Sequence, residues 1–174
     1  MIIKVDSREQ NPLPFKIGGS ITSVSTIGLP WGDYWASTQK KDRSEGQDIP
    51  IMFERKSMAD LYQTLSNEDG IRLHKEKIAK AEAMDCKLYC IIEGSLSEAY
   101  KGVGYSQVEG PPLVKRIFTF KVKYGFEPIF CNNRAEMVSY MIETWEAFGR
   151  NFKHLQTPLL SASTEGLLKT VKPS

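Results

Sequence analysis

The stretch Ile49-Pro50-Ile51-Met52-Phe53-Glu54-Arg55-Lys56-Ser57-Met58-Ala59-Asp60-Leu61 holds two structural periods and a change of chemistry between them. Ile49 to Phe53 is apolar and reads as a buried strand that runs straight into the charged triplet Glu54-Arg55-Lys56. Side chains two apart on a strand share a face, so Glu54 and Lys56 point one way and Arg55 the other. After the triplet the period switches. Ser57 is placed to cap a helix, with Asp60 three positions on as the acid of a capping box. Met58, Leu61 and Leu65 then fall on one helical face. A strand that ends in charge and hands over to a helix begins an α/β unit.

On the N-terminal side, Ile2 to Asp6 reads as a first strand ending on an acid, and Ile21 to Ile27 as a half-buried strand. Between them, Pro12, Pro14, Gly18 and Gly19 mark a loop. Gly28 to Gly32 is a turn, Asp33 to Ser37 a further strand, and Gln39 to Asp48 a solvated hairpin connection. On the C-terminal side, Gly70 is expected to break the first helix, and Arg72 to Met84 to form a second. Lys87 to Glu93 is an apolar strand. A short helix or loop runs to Gly110, and Pro111-Pro112 opens a helix that buries Leu113, Ile117 and Phe120 and stops at Gly125. Glu127 to Cys131 is a last strand, and Arg134 to Phe148 a last helix with Met137, Met141 and Trp145 in register, a stripe that reads as core or as a dimer face. Early strands in a meander, then strands alternating with helices, predict an α/β fold around a mixed sheet. Periodicity is lost after about Arg150, so residues 151–174 read as a tail or a partner-dependent arm.

With 174 residues, 41% hydrophobic and 25% charged, the chain has the composition of an ordinary globular domain. No apolar run is long enough to span a membrane, and Met1-Ile2-Ile3-Lys4 is charged too early for a secretory signal. Cys86, Cys90 and Cys131 lack zinc spacing and read as small buried hydrophobes of a reducing interior. The expected location is intracellular: cytoplasmic for a bacterial or phage protein, nuclear for a eukaryotic one. A net charge of +2 is too mild to argue for nucleic acid by itself.

Three charged clusters stand at strand ends: Asp6-Ser7-Arg8-Glu9, Gly32-Asp33-Tyr34 and Glu54-Arg55-Lys56 with Asp60. The spacing of Asp33 and Glu54 fits neighbouring strands, roughly 4.8 Å apart, joined by a hairpin. Two such carboxylates, with the Arg55 carbonyl, suit one hard cation such as Mg2+ or Mn2+ and leave room for water and a phosphate oxygen. Lys56, on the same face, is placed to orient or deprotonate an attacking water, or to neutralise charge at phosphorus. Asp60 has a plainer reading as a helix cap, and Arg8 as a partner of Glu9 or Asp6. Two basic stretches, Arg72, Lys75, Lys77 and Lys80, then Lys115, Arg116, Lys121 and Lys123, read either as solvated helix faces or as contacts to a phosphate backbone. Trp31, Tyr34 and Trp35 flank Asp33 and read as core or as stacking surfaces for an unpaired base, and His74 is too isolated to be a metal ligand.

Taken in order, Val5-Asp6-Ser7-Arg8-Glu9, Gly32-Asp33-Tyr34 and Phe53-Glu54-Arg55-Lys56-Ser57 with Asp60-Leu61 resemble the XPF family of structure-specific endonucleases, within the PD-(D/E)XK restriction-endonuclease-like superfamily. Gly70-Ile71-Arg72-Leu73 is similar to that family's Gly-Arg-Leu segment with one residue inserted, and Ile91-Ile92-Glu93-Gly94 to its next core strand. The resemblance runs from about Ile2 to Phe148. It implies a restriction-endonuclease-like mixed central sheet flanked by helices, with a nuclease domain over residues 1–150. It also implies a Mg2+- or Mn2+-dependent enzyme that cuts branched DNA such as flaps and forks, usually as a homodimer or heterodimer. Residue by residue, the family's metal acids match Asp33 and Glu54 and its catalytic lysine matches Lys56. Its supporting acids and basic residues match Asp6, Arg8, Glu9, Arg55, Asp60 and Arg72. Arg72, Lys75, Lys115 and Arg116 are the expected DNA contacts. The rival expectation is a non-catalytic DNA-binding or scaffold subunit of a repair or recombination complex.

Overall fold

The structure is a computed structural model that describes residues 1–102 and 110–152. Among these residues seven strands, β1 (Ile2–Asp6), β2 (Ser23–Ile27), β3 (Tyr34–Gln39), β4 (Glu45–Asp48), β5 (Ile51–Ser57), β6 (Lys87–Glu93) and β7 (Glu127–Cys131), form one mixed sheet in the order β2-β1-β3-β5-β6-β7, with β4 paired to β3. The helices are α1 (Met58–Ser66), α2 (Glu68–Glu82), α3 (Leu96–Lys101), α4 (Gly110–Tyr124) and α5 (Arg134–Phe152). The expected α/β architecture, a mixed central sheet flanked by helices, is therefore present. Among the described residues no helix is long and apolar enough to cross a membrane.

Two cores follow from strand alternation. Met52, Cys90 and Ile92 pack with Leu61, Leu65, Ile78, Leu113, Ile117 and Phe120 beneath α1, α2 and α4. Their neighbours Phe53 and Ile91 face the other way and join Val5, Tyr34, Met137, Met141 and Trp145 beneath α5. Burying a large side chain such as Trp145 or Phe53 contributes about 2–3 kcal/mol against leaving it exposed. Trp145 also donates its indole N–H to Ile51 O at 3.0 Å, which fixes α5 on the sheet. Parallel pairs β5–β6 and β6–β7 are joined by helical crossovers, as parallel strands require. Pro128 is tolerated because β7 lies at the sheet edge.

Four expectations are corrected. β1 and β2 pair in parallel, so the early strands are not a meander. The connection over residues 7–22 is long enough to recross the sheet, and it does so by burying Leu13 beneath α5, with its N–H donated to the Tyr34 hydroxyl at 3.0 Å. The solvated connection Gln39 to Asp48 contains β4, held by backbone pairing to β3 and by the Lys4 ammonium, which pairs with Asp48 at 2.5 Å and with Glu45. Gly70 does not break the first helix. Asn67 does, as the cap of α2, its side chain accepting the Gly70 N–H at 2.6 Å. The triplet Glu54-Arg55-Lys56 lies within β5, and Ser57 both ends that strand and caps α1. α5 ends at Phe152, and the rest of the expected tail lies outside the described residues.

Candidate active site

Three strands set three acids side by side. In the β1–β3 register Val5 faces Tyr34, and in the β3–β5 register Tyr34 faces Phe53. One residue further along, Asp6, Asp33 and Glu54 stand opposite one another. Backbone bonds hold this row: Asp6 N–H donates to Asp33 O, and Asp33 N–H to Phe53 O, both at 2.8 Å. Gly32 makes the turn into Asp33 with φ 68°, and a Cβ there would come within 3.2 Å of Phe53 O. A left-handed backbone pressed against a neighbouring carbonyl requires glycine.

Asp6 is satisfied within the fold. Its carboxylate accepts the Arg8 backbone N–H at 2.7 Å, the Arg8 guanidinium at 2.8 and 2.7 Å, and the Leu29 N–H at 2.9 Å. The Arg8 side chain, with help from these N–H groups, outweighs burial and holds Asp6 down at about 2. The same Arg8 side chain donates to Leu29 O at 2.7 Å and edges the cleft described below.

Asp33 and Glu54 have different partners. Asp33 Oδ2 accepts the Arg55 backbone N–H at 2.7 Å, and among the described residues no ion pair reaches it. Burial, and then the Glu54 carboxylate, push Asp33 up to about 7. Glu54, only 5% exposed, meets Lys56 at 3.2 Å and Lys77 of α2 at 2.7 and 2.6 Å on its two oxygens. Burial opposes its charge, yet Lys56 and then Lys77 hold it below its usual range. Burial would lower Lys56, yet Glu54, with Asp33 and the Cys90 thiol beside it, holds it above the ordinary lysine value. It is therefore a fixed cation.

Arg55 faces the other way, as strand period demands. Its guanidinium reaches Glu93 at 2.7 Å and Glu9 at 3.5 Å. This pairing ties the loop after β1 to the ends of β5 and β6, behind the acid row.

A cleft of about 520 Å3 opens over Asp33 and Glu54, bordered by Arg8, Lys56, His74 and Lys77, with Leu73 and Lys80 on its α2 wall. His74 is 2% exposed with its ring 5.1 Å from that of Phe126, and burial lowers it to about 4, which leaves it neutral.

Other expected residues lie elsewhere. Asp60 closes the capping box with Ser57, each backbone N–H meeting the other's side chain at 3.1–3.2 Å. Arg72 pairs along α2 with Asp69 and Glu76. Lys75 sits 4.3 Å from the Tyr124 ring centroid. Lys115 and Arg116 edge a second groove between α2 and α4, and Arg116 donates to Leu65 O at 2.9 Å.

Sequence reasoning passed over two partners of the site. Glu93 read only as a strand end. Lys77 read only as part of a basic face, although it stands three residues after His74, beside the buried stripe His74, Ile78 and Ala81. That adjacency was its signal.

The donor set fits a hard divalent cation. Two carboxylates face each other on one side of the sheet, and a positive charge already bridges both oxygens of one of them. Among the described residues no cluster of three or more His, Cys, Asp or Glu side chains converges. Side chains would thus supply two ligands, leaving the remaining positions to carbonyl, water and phosphate, as Mg2+ prefers.

The ERCC4 domain family model matches residues 5–143. Among solved structures, the chain is similar to XPF from Aeropyrum pernix, with 18% identity, TM-score 0.58, and coverage of 89% of this chain and 68% of that one. It is also similar to XPF from Aeropyrum pernix in complex with DNA, with 17% identity, TM-score 0.55, and coverage of 91% and 68%. At such identities the likeness is one of fold. Comparison with curated proteins finds no match.

Proposed function

The chain belongs to the ERCC4 domain family, and from that premise we propose that it is a divalent-metal-dependent endonuclease that hydrolyses a phosphodiester of branched or structured DNA, such as a flap or a fork. The observation that carries this reading is the facing pair Asp33 and Glu54, with Lys56 on the same face of the same strand as Glu54. DNA as the partner is supported by the fold it shares with an XPF solved in complex with DNA.

Asp33 and Glu54 would hold Mg2+ or Mn2+, with the Arg55 carbonyl as a further ligand. The ion supplies a polarised phosphoryl oxygen and a more acidic bound water. The protein's own groups do the rest. Lys56 keeps its proton against Glu54, so it acts as a cation that orients the nucleophile and offsets charge at phosphorus. Arg8 and Lys80, which line the cleft, would receive phosphates of a bound strand. Asp6 acts by holding Arg8. Glu9 and Glu93 act by holding Arg55, whose N–H orients Asp33. Association with a second copy or a related chain would use α4, where Phe118 and Val122 are exposed.

The test compares the wild type with Asp33→Asn on labelled single-stranded, duplex, flap and fork DNA, with Mn2+ and then Mg2+. Metal-dependent cutting that disappears in the variant is the expected result. Binding without cutting by both proteins would assign the chain to a scaffold role instead.

A further inference from the structure

We infer that Lys77 is the counter-cation of the metal-free site, and that a divalent ion must displace its ammonium from Glu54 in order to bind. The inference rests on the proposed metal site and adds a residue that the site residues themselves do not include.

The geometry carries it. Lys77 Nζ spans both oxygens of Glu54, at 2.7 and 2.6 Å, and comes from α2 rather than from the sheet. A metal ligated by Glu54 needs at least one of those oxygens from the direction of the cleft, where Lys77 stands. Lys77 holds the position between the two oxygens, so an ion bound there would meet its ammonium at contact distance and repel it strongly. Glu54 is also too buried to turn toward a second site.

The two lysines on this carboxylate differ in freedom. The Lys56 side chain is 11% exposed, belongs to the same strand, and meets one oxygen at 3.2 Å. The Lys77 side chain is 39% exposed and lies along the cleft wall. Its four-carbon stem can swing outward into solvent while its helix stays in place. No ion pair other than that with Glu54 restrains it among the described residues.

Lys77 therefore has two consequences. In the metal-free chain it neutralises one member of a buried carboxylate pair whose other member, Asp33, has no ion pair among the described residues. When the ion enters, the ammonium is released toward the cleft mouth, where DNA phosphates would arrive. Metal affinity is then set by a competition that can be tuned at one position without touching a metal ligand.

The test measures Mn2+ binding by wild type, Lys77→Met and Lys77→Gln in the absence of DNA, reading free Mn2+ by electron paramagnetic resonance, with far-ultraviolet circular dichroism to verify the fold. Both variants should bind Mn2+ about fivefold or more tightly than the wild type, since one competing charge is gone. Equal or weaker binding by the folded variants, with the wild type binding, overturns the role of Lys77 and leaves the metal site standing. No Mn2+ binding by any of the three overturns the metal site and this inference together. A measurement without substitution covers the case in which neither variant folds: the Lys77 ammonium resonance of the wild type should lose its hydrogen-bonded character on Mg2+ titration. An ammonium that stays unchanged while Mg2+ binds would also overturn the inference.

Discussion

Asp33 faces Glu54 across the β3–β5 register with its Oδ2 bound to the Arg55 backbone N–H at 2.7 Å, so the peptide beside one acid orients the other. This juxtaposition has an electrostatic cost. A folded value of about 7, against the ordinary aspartate value of 3.8, means that Asp33 loses stabilisation of the fold as pH rises from about 4 to 7. Asn keeps an acceptor for the Arg55 N–H and removes the charge. Metal-free Asp33→Asn should therefore unfold like the wild type near pH 4 and become the more stable of the two above pH 7. Added Mn2+ should reverse the order at pH 7.5, because only the wild type gains stability by binding it. Urea titrations at pH 4, 6 and 8, with and without Mn2+, would show this crossover. A difference that does not change with pH would contradict the burial of a charged Asp33.

Lys56→Ala separates chemistry from folding. Glu54 keeps Lys77 across both oxygens when Lys56 is removed, so its buried charge stays paired. The variant should fold, bind Mn2+, and cleave at least about a hundredfold more slowly, the usual loss when a preorganised charge at the reacting centre is deleted. Single-turnover cleavage of a flap substrate at saturating Mn2+ is the measurement. Undiminished cleavage would remove Lys56 from the reaction.

Asp6 behaves in the opposite sense to Asp33. Its folded value lies below its unfolded one, so it contributes stability that is present above about pH 4 and is lost as pH falls toward 2. Asp6→Asn sets amide hydrogens against donors and should cost about 1–2 kcal/mol at pH 7, the lower part of the range for a charge-assisted cluster because Arg8 is largely exposed. The difference from the wild type should shrink toward pH 2. Chemical denaturation across that range tests the sign directly.

What could be read in the sequence was what depends on local period. Glu54 and Lys56 share a face because strands alternate whatever surrounds them, and the capping box at Ser57 and Asp60 is local by nature. The row Asp6, Asp33 and Glu54 was visible only as three strand ends, since its alignment rests on the register of three strands. The parallel pairing of β1 and β2 was hidden because residues 7–22 have turn composition, and composition does not tell on which side a loop crosses. β4 has no apolar pattern at all: Glu45-Gly46-Gln47-Asp48 becomes a strand through its partner β3 and through Lys4. Lys77 was lost among other lysines because its role depends on how α2 crosses the sheet, a tertiary quantity.

That crossing is controlled at Gly70, which gives the last prediction. Gly70 lies in the first turn of α2, where alanine ordinarily stabilises a helix by about 0.5–1 kcal/mol. Here an added Cβ would stand 2.6 Å from Thr64 O and 2.9 Å from Thr64 Cα. Both are backbone atoms of α1, so no side chain can turn aside, and the two helices must separate. Gly70→Ala should therefore destabilise by about 1–3 kcal/mol, as overpacking does. Because α2 carries Lys77, the shift should also loosen the bidentate contact with Glu54 and alter Mn2+ affinity. Gly149→Ala is the matching control: it lies within α5 with no described residue packed within 4 Å of its Cβ position, and should stabilise by up to about 1 kcal/mol. Thermal unfolding of the two variants beside the wild type decides the matter. Equal stabilisation by both would mean that α1 and α2 do not meet at Thr64 and Gly70, and that the close approach placing Lys77 over Glu54 is set elsewhere.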